Sequence, residues 1–280
     1  MHSNSRPLVS FVIPCYNDFE YIEEAVDSAL NQTYNNIEII VIDDGSNSKT
    51  KSILKEIEPK ISKLITQENK GQSTARNVGI ENANGQYIVV LDSDDYFEPT
   101  FCEKAIEIIT NNSSVKLVTC FVNILDPNGK ISFFKPKGGN VSNFLTSNSA
   151  LGSLMFRKLD WKISHGYDES MRFGFEDWEF YLRLLENGGE TFVIREYLFN
   201  YRRRANSTTN SANKVKYDLT KFIHLKNKKI YIKYIEDYIN QVYKKIELEE
   251  REKIKQKEKL EFRIGYYFLK PLRFFKSFFY

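Results

Sequence analysis

QYIVVLDSDD, residues 86–95, carries an apolar run straight into three carboxylates, Asp92, Asp94 and Asp95. An uninterrupted Val/Ile-rich run suits a strand buried on both faces, as in a parallel sheet flanked by helices. Working outward, LVSFVIP (8–14), IEIIVID (37–43) and KLIT (63–66) are runs of the same kind. Segments with helical spacing separate them: EYIEEAVDSALNQ (20–32), SKTKSILKEI (48–57) and STARNVGIENA (73–83). Strands alternating with helices of this length predict an α/β fold around a mostly parallel central sheet. Each run ends in a polar cluster: PCYND, DDGSN, QENKG and DSDDY. Open parallel sheets bind ligands beyond the carboxyl ends of their strands, so these clusters mark one candidate site.

Farther along, FCEKAIEIIT (101–110) reads as a helix, and VKLVTCFVNIL, DPNG and KISFF read as a β-hairpin. Residues 136–150 are rich in Gly, Asn and Ser and read as a loop. In FGFEDWEFYLRLLENGG, Trp178, Tyr181, Leu182 and Leu185 give helical spacing, ended by Gly188 and Gly189.

At 280 residues, 41% hydrophobic and 28% charged, the chain has the composition of a globular protein with a sizeable core. Cys15, Cys102 and Cys120 are odd in number and widely spaced, which predicts reduced thiols and neither a disulfide framework nor a zinc site. The N-terminus shows no signal-peptide pattern, and no run nears the roughly 20 apolar residues of a membrane span. A cytoplasmic protein is expected. Charge is uneven: residues 214–280 hold 18 Lys and Arg against 9 Asp and Glu, leaving 22 against 28 over residues 1–213. This asymmetry predicts two parts, an α/β domain over 1–213 and a basic helical extension over 214–280.

Asp92 and Asp94 straddle Ser93, so in extended chain both side chains point to one side. Hard cations such as Mg²⁺ or Mn²⁺ take one or two such carboxylates together with phosphate oxygens. The alternative is a solvated turn with Asp95 capping the next helix. Asp43 and Asp44 at the end of the second run suit a hydrogen bond to a base or ribose, or else Ser46 or Asn47 caps a helix there. Tyr16 could stack on a base or pack in its loop. Arg76 begins a helix after Gly71 and suits an anionic ligand; it could equally neutralise the neighbouring carboxylates. Neither G-x-G-x-x-G nor G-x-x-x-x-G-K occurs, which weakens dinucleotide and P-loop readings.

VSFVIPCYND (9–18), IIVIDDGS (39–46), NKGQSTARNVG (69–79), GQYIVVLDSDD (85–95) and FGFEDWE (173–179) together resemble the family 2 glycosyltransferases. The resemblance covers residues 8–205 and implies a GT-A fold. It also implies inverting transfer of a sugar from a UDP- or GDP-linked donor, with Mg²⁺ or Mn²⁺. Position by position, it places Asp44 at the base, Pro14 and Tyr16 in the base pocket, and Arg76 against the nucleotide. It makes Asp94 the metal ligand, puts Asp92 at the ribose or the metal's water, and makes Asp177, beside Glu176, the general base. Capping of the following helix is the plainer reading of that Glu-Asp pair. Members often carry a histidine in a Tyr-Arg-x-His segment, where YRRRANS (201–207) has Arg204 instead. Arginine does not bind a metal but pairs with a diphosphate, so the resemblance implies fewer protein ligands for the cation.

Residues 262–280 interleave nine aromatics with Arg263, Lys270, Arg273 and Lys276. That pattern suits the cytoplasmic face of a membrane carrying anionic lipid, where a lipid-linked glycan acceptor would lie. A tail folded on its own domain or paired in a homodimer is the alternative. The acidic body argues against a nucleic-acid partner. A nucleotidyltransferase and a non-catalytic binding relative compete with the transferase reading. The first would need a Gly-rich, basic phosphate loop after the first strand, which PCYNDFEY is not. The intact D-x-D and Glu-Asp pairs argue against the second.

Overall fold

The computed structural model describes residues 6–204, 207–259 and 264–266. Among the described residues nine strands form one mixed sheet: β1 (Val9–Cys15), β2 (Ile37–Asp44), β3 (Lys63–Gln67), β4 (Tyr87–Val90), β5 (Tyr96–Phe97), β6 (Val115–Leu125), β7 (Ile131–Phe134), β8 (Met155–Arg157) and β9 (Glu190–Arg202). The helices are α1 (Ile22–Leu30), α2 (Ser48–Ile57), α3 (Gln72–Glu81), α4 (Phe101–Asn111), α5 (Lys158–Ile163), α6 (Glu176–Leu185), α7 (Thr208–Lys214), α8 (Lys216–Lys226), α9 (Lys228–Lys233) and α10 (Ile235–Glu258). Strand order is β3-β2-β1-β4-β8-β6-β9-β5, with β7 paired to β6. β3, β2, β1 and β4 run parallel, and β8 enters antiparallel between β4 and β6.

The continuous apolar runs are explained by helices on both faces. Phe11, Ile13, Ile39 and Val41 join the large buried cluster with Ile22, Val26 and Leu54 from α1 and α2. Val12 and Ile42 point the other way, against α3. Gly79 permits that contact, since an added Cβ would lie 2.5 Å from side-chain atoms of both Val12 and Ile42. Cys15, Cys102 and Cys120 are free and buried in the same core, and burial raises all three thiol pKa values, that of Cys15 to about 12.

Two compact units divide at Met1–Lys233 and Tyr234–Tyr280. The first runs past the boundary at 213 that charge alone suggests. Residues 216–233 are tied to α6: Lys226 pairs with Asp168 and Glu179, Asn227 donates to Glu179, and Lys233 donates to the Glu186 carbonyl. Lys226 thus answers two acidic side chains of the α/β body. The second unit contains α10, which has no buried residue. Most of the aromatic tail, 267–280 with 260–263, lies outside the described residues. Among the described residues no helix is long and apolar enough to cross a membrane.

Candidate active site

Parallel pairing brings the ends of β1, β2 and β4 to one edge, and each end delivers a polar group. After β1 comes Tyr16, 53% exposed, as a ring free to meet a planar ligand. Pro14, which has no N–H to give, follows the last β1–β4 pair, Val12 with Val90. After β4 the chain turns, with the Asp95 N–H donating to the Asp92 carbonyl at 3.1 Å. Asp92, Asp94 and Asp95 are thereby packed into one turn.

Three arginines answer these carboxylates. Arg76, on the first turns of α3, is 1% exposed and donates from Nη2 to Asp92 at 2.7 Å and from Nη1 to Glu176 at 2.6 Å. Burial works against its charge, but Asp92 and Glu176 outweigh that and hold the guanidinium firmly protonated. Gln72, one turn earlier, donates to the same Asp92 oxygen at 2.8 Å. Both ends of the guanidinium thus meet carboxylates, Asp92 on one side and Glu176 on the other. Arg202, closing β9, donates its N–H to Asp95 and an Nη1 hydrogen to the Asp94 carbonyl. Asp95 is therefore bound to β9 and caps no helix; burial, then Asp94 and Asp92, raises its pKa. Arg204 bridges Asp18 at 2.8 Å and Asp94 at 2.6 Å. Burial and Asp92 push the Asp94 carboxyl up to about 6, against the pull of Arg204.

Glu176 and Asp177 open α6 after a left-handed turn, Gly174 at φ 109° and Phe175 at φ 62°. A left-handed Phe is strained, and such strain gathers where the chain must be aimed. Here it aims Asp177 at the strand ends. The two neighbours diverge: Glu176 is buried on Arg76, while Asp177 accepts from Asn148 Nδ2 at 2.8 Å and from the Trp178 N–H at 2.7 Å. Burial, then the charge of Glu176, raises the Asp177 carboxyl to about 7. A Cβ added at Gly152 would lie 3.6 Å from both Arg76 Nη2 and Asp177 Oδ2, and 3.7 Å from Asp92 Oδ2. Arg76, Asp177 and Asp92 thus gather around Gly152.

Asp44 is turned inward. It accepts from Gln67, the Lys70 N–H and the Gly71 N–H, each within 2.8 Å, and so shapes the 67–71 loop that starts α3. Asn47 caps α2 through the Thr50 N–H. Sequence reasoning assigned no role to Asp18, Gln72, Asn148 or Gly152. Asp18 ends the VSFVIPCYND motif; the other three are common polar or small residues whose placement depends on distant partners.

Residues 10–170, more than half the chain, match the profile described as glycosyl transferase family 2. The chain belongs to that family. This glycosyltransferase is 32% identical over 207 residues to an uncharacterised glycosyltransferase of Methanocaldococcus jannaschii, covering 70% of this chain and 71% of the relative. It is 31% identical over 195 residues to the hyaluronan synthase of Pasteurella multocida, covering 67% of this chain but only 20% of the synthase. Residues 1–349 of Staphylococcus aureus TarS, solved with UDP-GlcNAc, superpose with a TM-score of 0.60 at 21% identity, over 73% of this chain and 61% of TarS. That likeness shows a GT-A type fold, and α7 to α10 follow its last strand.

Among the described residues no three His, Cys, Asp or Glu side chains gather as a metal cage. Asp92 and Asp94 nonetheless fit a hard cation that brings most of its shell with it, as Mg²⁺ does when carried by phosphates and water. Both offer oxygen only, and each has one carboxylate oxygen engaged by arginine, Asp92 by Arg76 and Asp94 by Arg204.

Proposed function

We propose that this family 2 glycosyltransferase moves a sugar, with inversion, from a nucleoside-diphosphate sugar to a hydroxyl of a lipid-linked glycan acceptor. The observation that carries this reading is the gathering of Asp92, Asp177 and Arg76 around Gly152 at the ends of the parallel strands. A UDP-linked donor is favoured over a GDP-linked one because TarS was solved with UDP and with UDP-GlcNAc. The hyaluronan and chondroitin synthases among the relatives favour a glycan acceptor. Family membership sets the nucleotidyltransferase reading aside.

Asp177, as carboxylate, takes the proton of the acceptor hydroxyl while the oxygen attacks the anomeric carbon from the face opposite the diphosphate. The new C–O bond forms as the bond to the diphosphate oxygen breaks, and the diphosphate leaves with that electron pair. Asn148 and the Trp178 N–H hold the carboxylate in position and favour its charged form. Tyr16 stacks on the base of the donor. Asp94 and Asp92 would hold Mg²⁺ or Mn²⁺, which would offset the charge developing on the leaving diphosphate. Arg76 keeps Asp92 and Glu176 in place without touching the donor.

The metal role is tested by titrating Mn²⁺ in the presence of UDP. Asp94→Asn should bind the cation about tenfold or more weakly than wild type, because one charge-assisted ligand is gone. Equal affinities would remove Asp94 from the site. Hydrolysis or transfer with UDP-sugars tests catalysis itself, and a chain that binds UDP but turns over no donor would be a binding relative.

We further propose that the tail holds the enzyme on the inner face of the cell membrane. Four bases at roughly 1 kcal/mol each near an anionic surface, plus aromatic insertion, support this reading. Deleting residues 262–280 should leave UDP binding intact and sharply reduce co-sedimentation with phosphatidylserine vesicles. Undiminished co-sedimentation would make the aromatics packing or dimer contacts.

A further inference from the structure

We infer that Arg204 is an exchangeable counter-ion, which must leave Asp94 before a divalent cation can take that carboxylate and then turns to the donor's diphosphate. This rests on the metal reading above and adds a role for one residue.

The three site arginines are anchored differently. Arg76 has a side chain 2% exposed, enclosed between Asp92 and Glu176. Arg202, 16% exposed, is held by the Asp94 carbonyl and Glu24 and lies on the Tyr21 ring with 4.2 Å to its centroid. The Arg204 side chain is 38% exposed and lies beyond the end of β9. Nη1 meets Asp18 at 2.8 Å and Nη2 meets Asp94 at 2.6 Å, with the Tyr21 ring 5.5 Å away. Asp18 is the fixed arm of this bridge, 4% exposed and also accepting from Ser93 Oγ at 2.7 Å. Asp94 is the arm with another use.

Arg204 Nη2 already holds Asp94 Oδ2, so it stands where a cation would approach that carboxylate. A divalent cation on Asp94 with the guanidinium still beside it would put two cations on one carboxylate in a partly buried site, where repulsion is poorly screened. The incoming diphosphate resolves this, because its oxygens accept a planar guanidinium in paired hydrogen bonds. Asp18 keeps the arginine close while it changes partner. Without nucleotide, Arg204 competes with metal; with nucleotide, it supports the complex.

The test is Mn²⁺ binding without nucleotide, read from the free-ion signal in electron paramagnetic resonance, on wild type, Arg204→Gln and Arg204→Lys. Arg204→Gln should bind free Mn²⁺ about tenfold tighter than wild type, because a competing charge is gone. Arg204→Lys keeps the charge and should stay within about threefold of wild type. In saturating Mn²⁺ the Gln variant should bind UDP about tenfold more weakly by calorimetry, having lost a paired contact to phosphate. If Arg204→Gln does not fold, Arg204→Met carries the same expectation with the side-chain stem retained. A folded neutral variant that binds free Mn²⁺ no tighter than wild type overturns the inference while leaving the metal reading intact. A wild type that binds UDP equally with and without Mn²⁺ overturns the metal reading, and this inference with it.

Discussion

Asp177→Asn retains UDP binding and loses sugar transfer by about two to four powers of ten, the usual contribution of a general base. Amide and carboxylate have nearly the same shape, so the α6 entry and the Trp178 N–H contact survive. Only the capacity to take a proton is lost. Burial and Glu176 raise the Asp177 carboxyl from 3.8 to about 7, so in wild type the ionised, active form declines as pH falls through about 7. Transfer should therefore fall about tenfold per pH unit well below that point, while UDP binding does not follow the same curve. The same shift has a sign for stability. Because the folded state favours the protonated acid, the stability linked to this group is full below about 3.8 and is lost as pH rises through about 7. The Asn variant lacks that titration, so the stability difference between the two proteins should move in its favour across this window. Near wild-type turnover in Asp177→Asn would remove Asp177 from the role. Glu176 is a poor substitute, since its carboxylate is committed to Arg76.

The first ninety residues were legible because the sheet there is buried on both faces, and continuous Val/Ile runs have few other uses. The later strands were harder to read. β9 follows β6 in parallel, but its register jumps between Cys120 and Phe121, leaving Arg195 and Glu196 unpaired between Ile194 and Tyr197. The jump breaks the alternation that would announce a strand. β8 has only three residues, too short for a pattern. At the site, motifs located the residues without fixing their partners. Arg76 and Glu176 lie a hundred positions apart, Arg204 and Asp18 farther still. Local sequence offered two roles for Arg76, and its pairing with Asp92 and Glu176 depends on segments far away in the chain. Asp44 shows the same limit: the strand end was visible, but the three donors that turn its carboxylate inward come from the end of β3 and the loop after it.

Arg76→Met should cost about 3–5 kcal/mol of folding stability, the range for removing one partner of a buried ion pair. Arg76 is enclosed, and both carboxylates it serves are at least partly shielded from water. Removing the guanidinium leaves Glu176 charged in a buried site and Asp92 with Gln72 as its remaining side-chain donor. Urea denaturation should show the midpoint falling with an unchanged slope, as expected when contacts are lost without a change in the unfolded state. Adding Glu176→Gln to Arg76→Met should recover part of the loss, because the stranded charge is then gone. Glu176→Gln alone should destabilise, so the two changes couple and their effects do not add. Arg76→Lys can satisfy one carboxylate at a time and should fall between the two. A loss below about 1 kcal/mol in Arg76→Met would mean that the pair behaves as an exposed one. It would also return the arginine to the open site, free to meet the nucleotide.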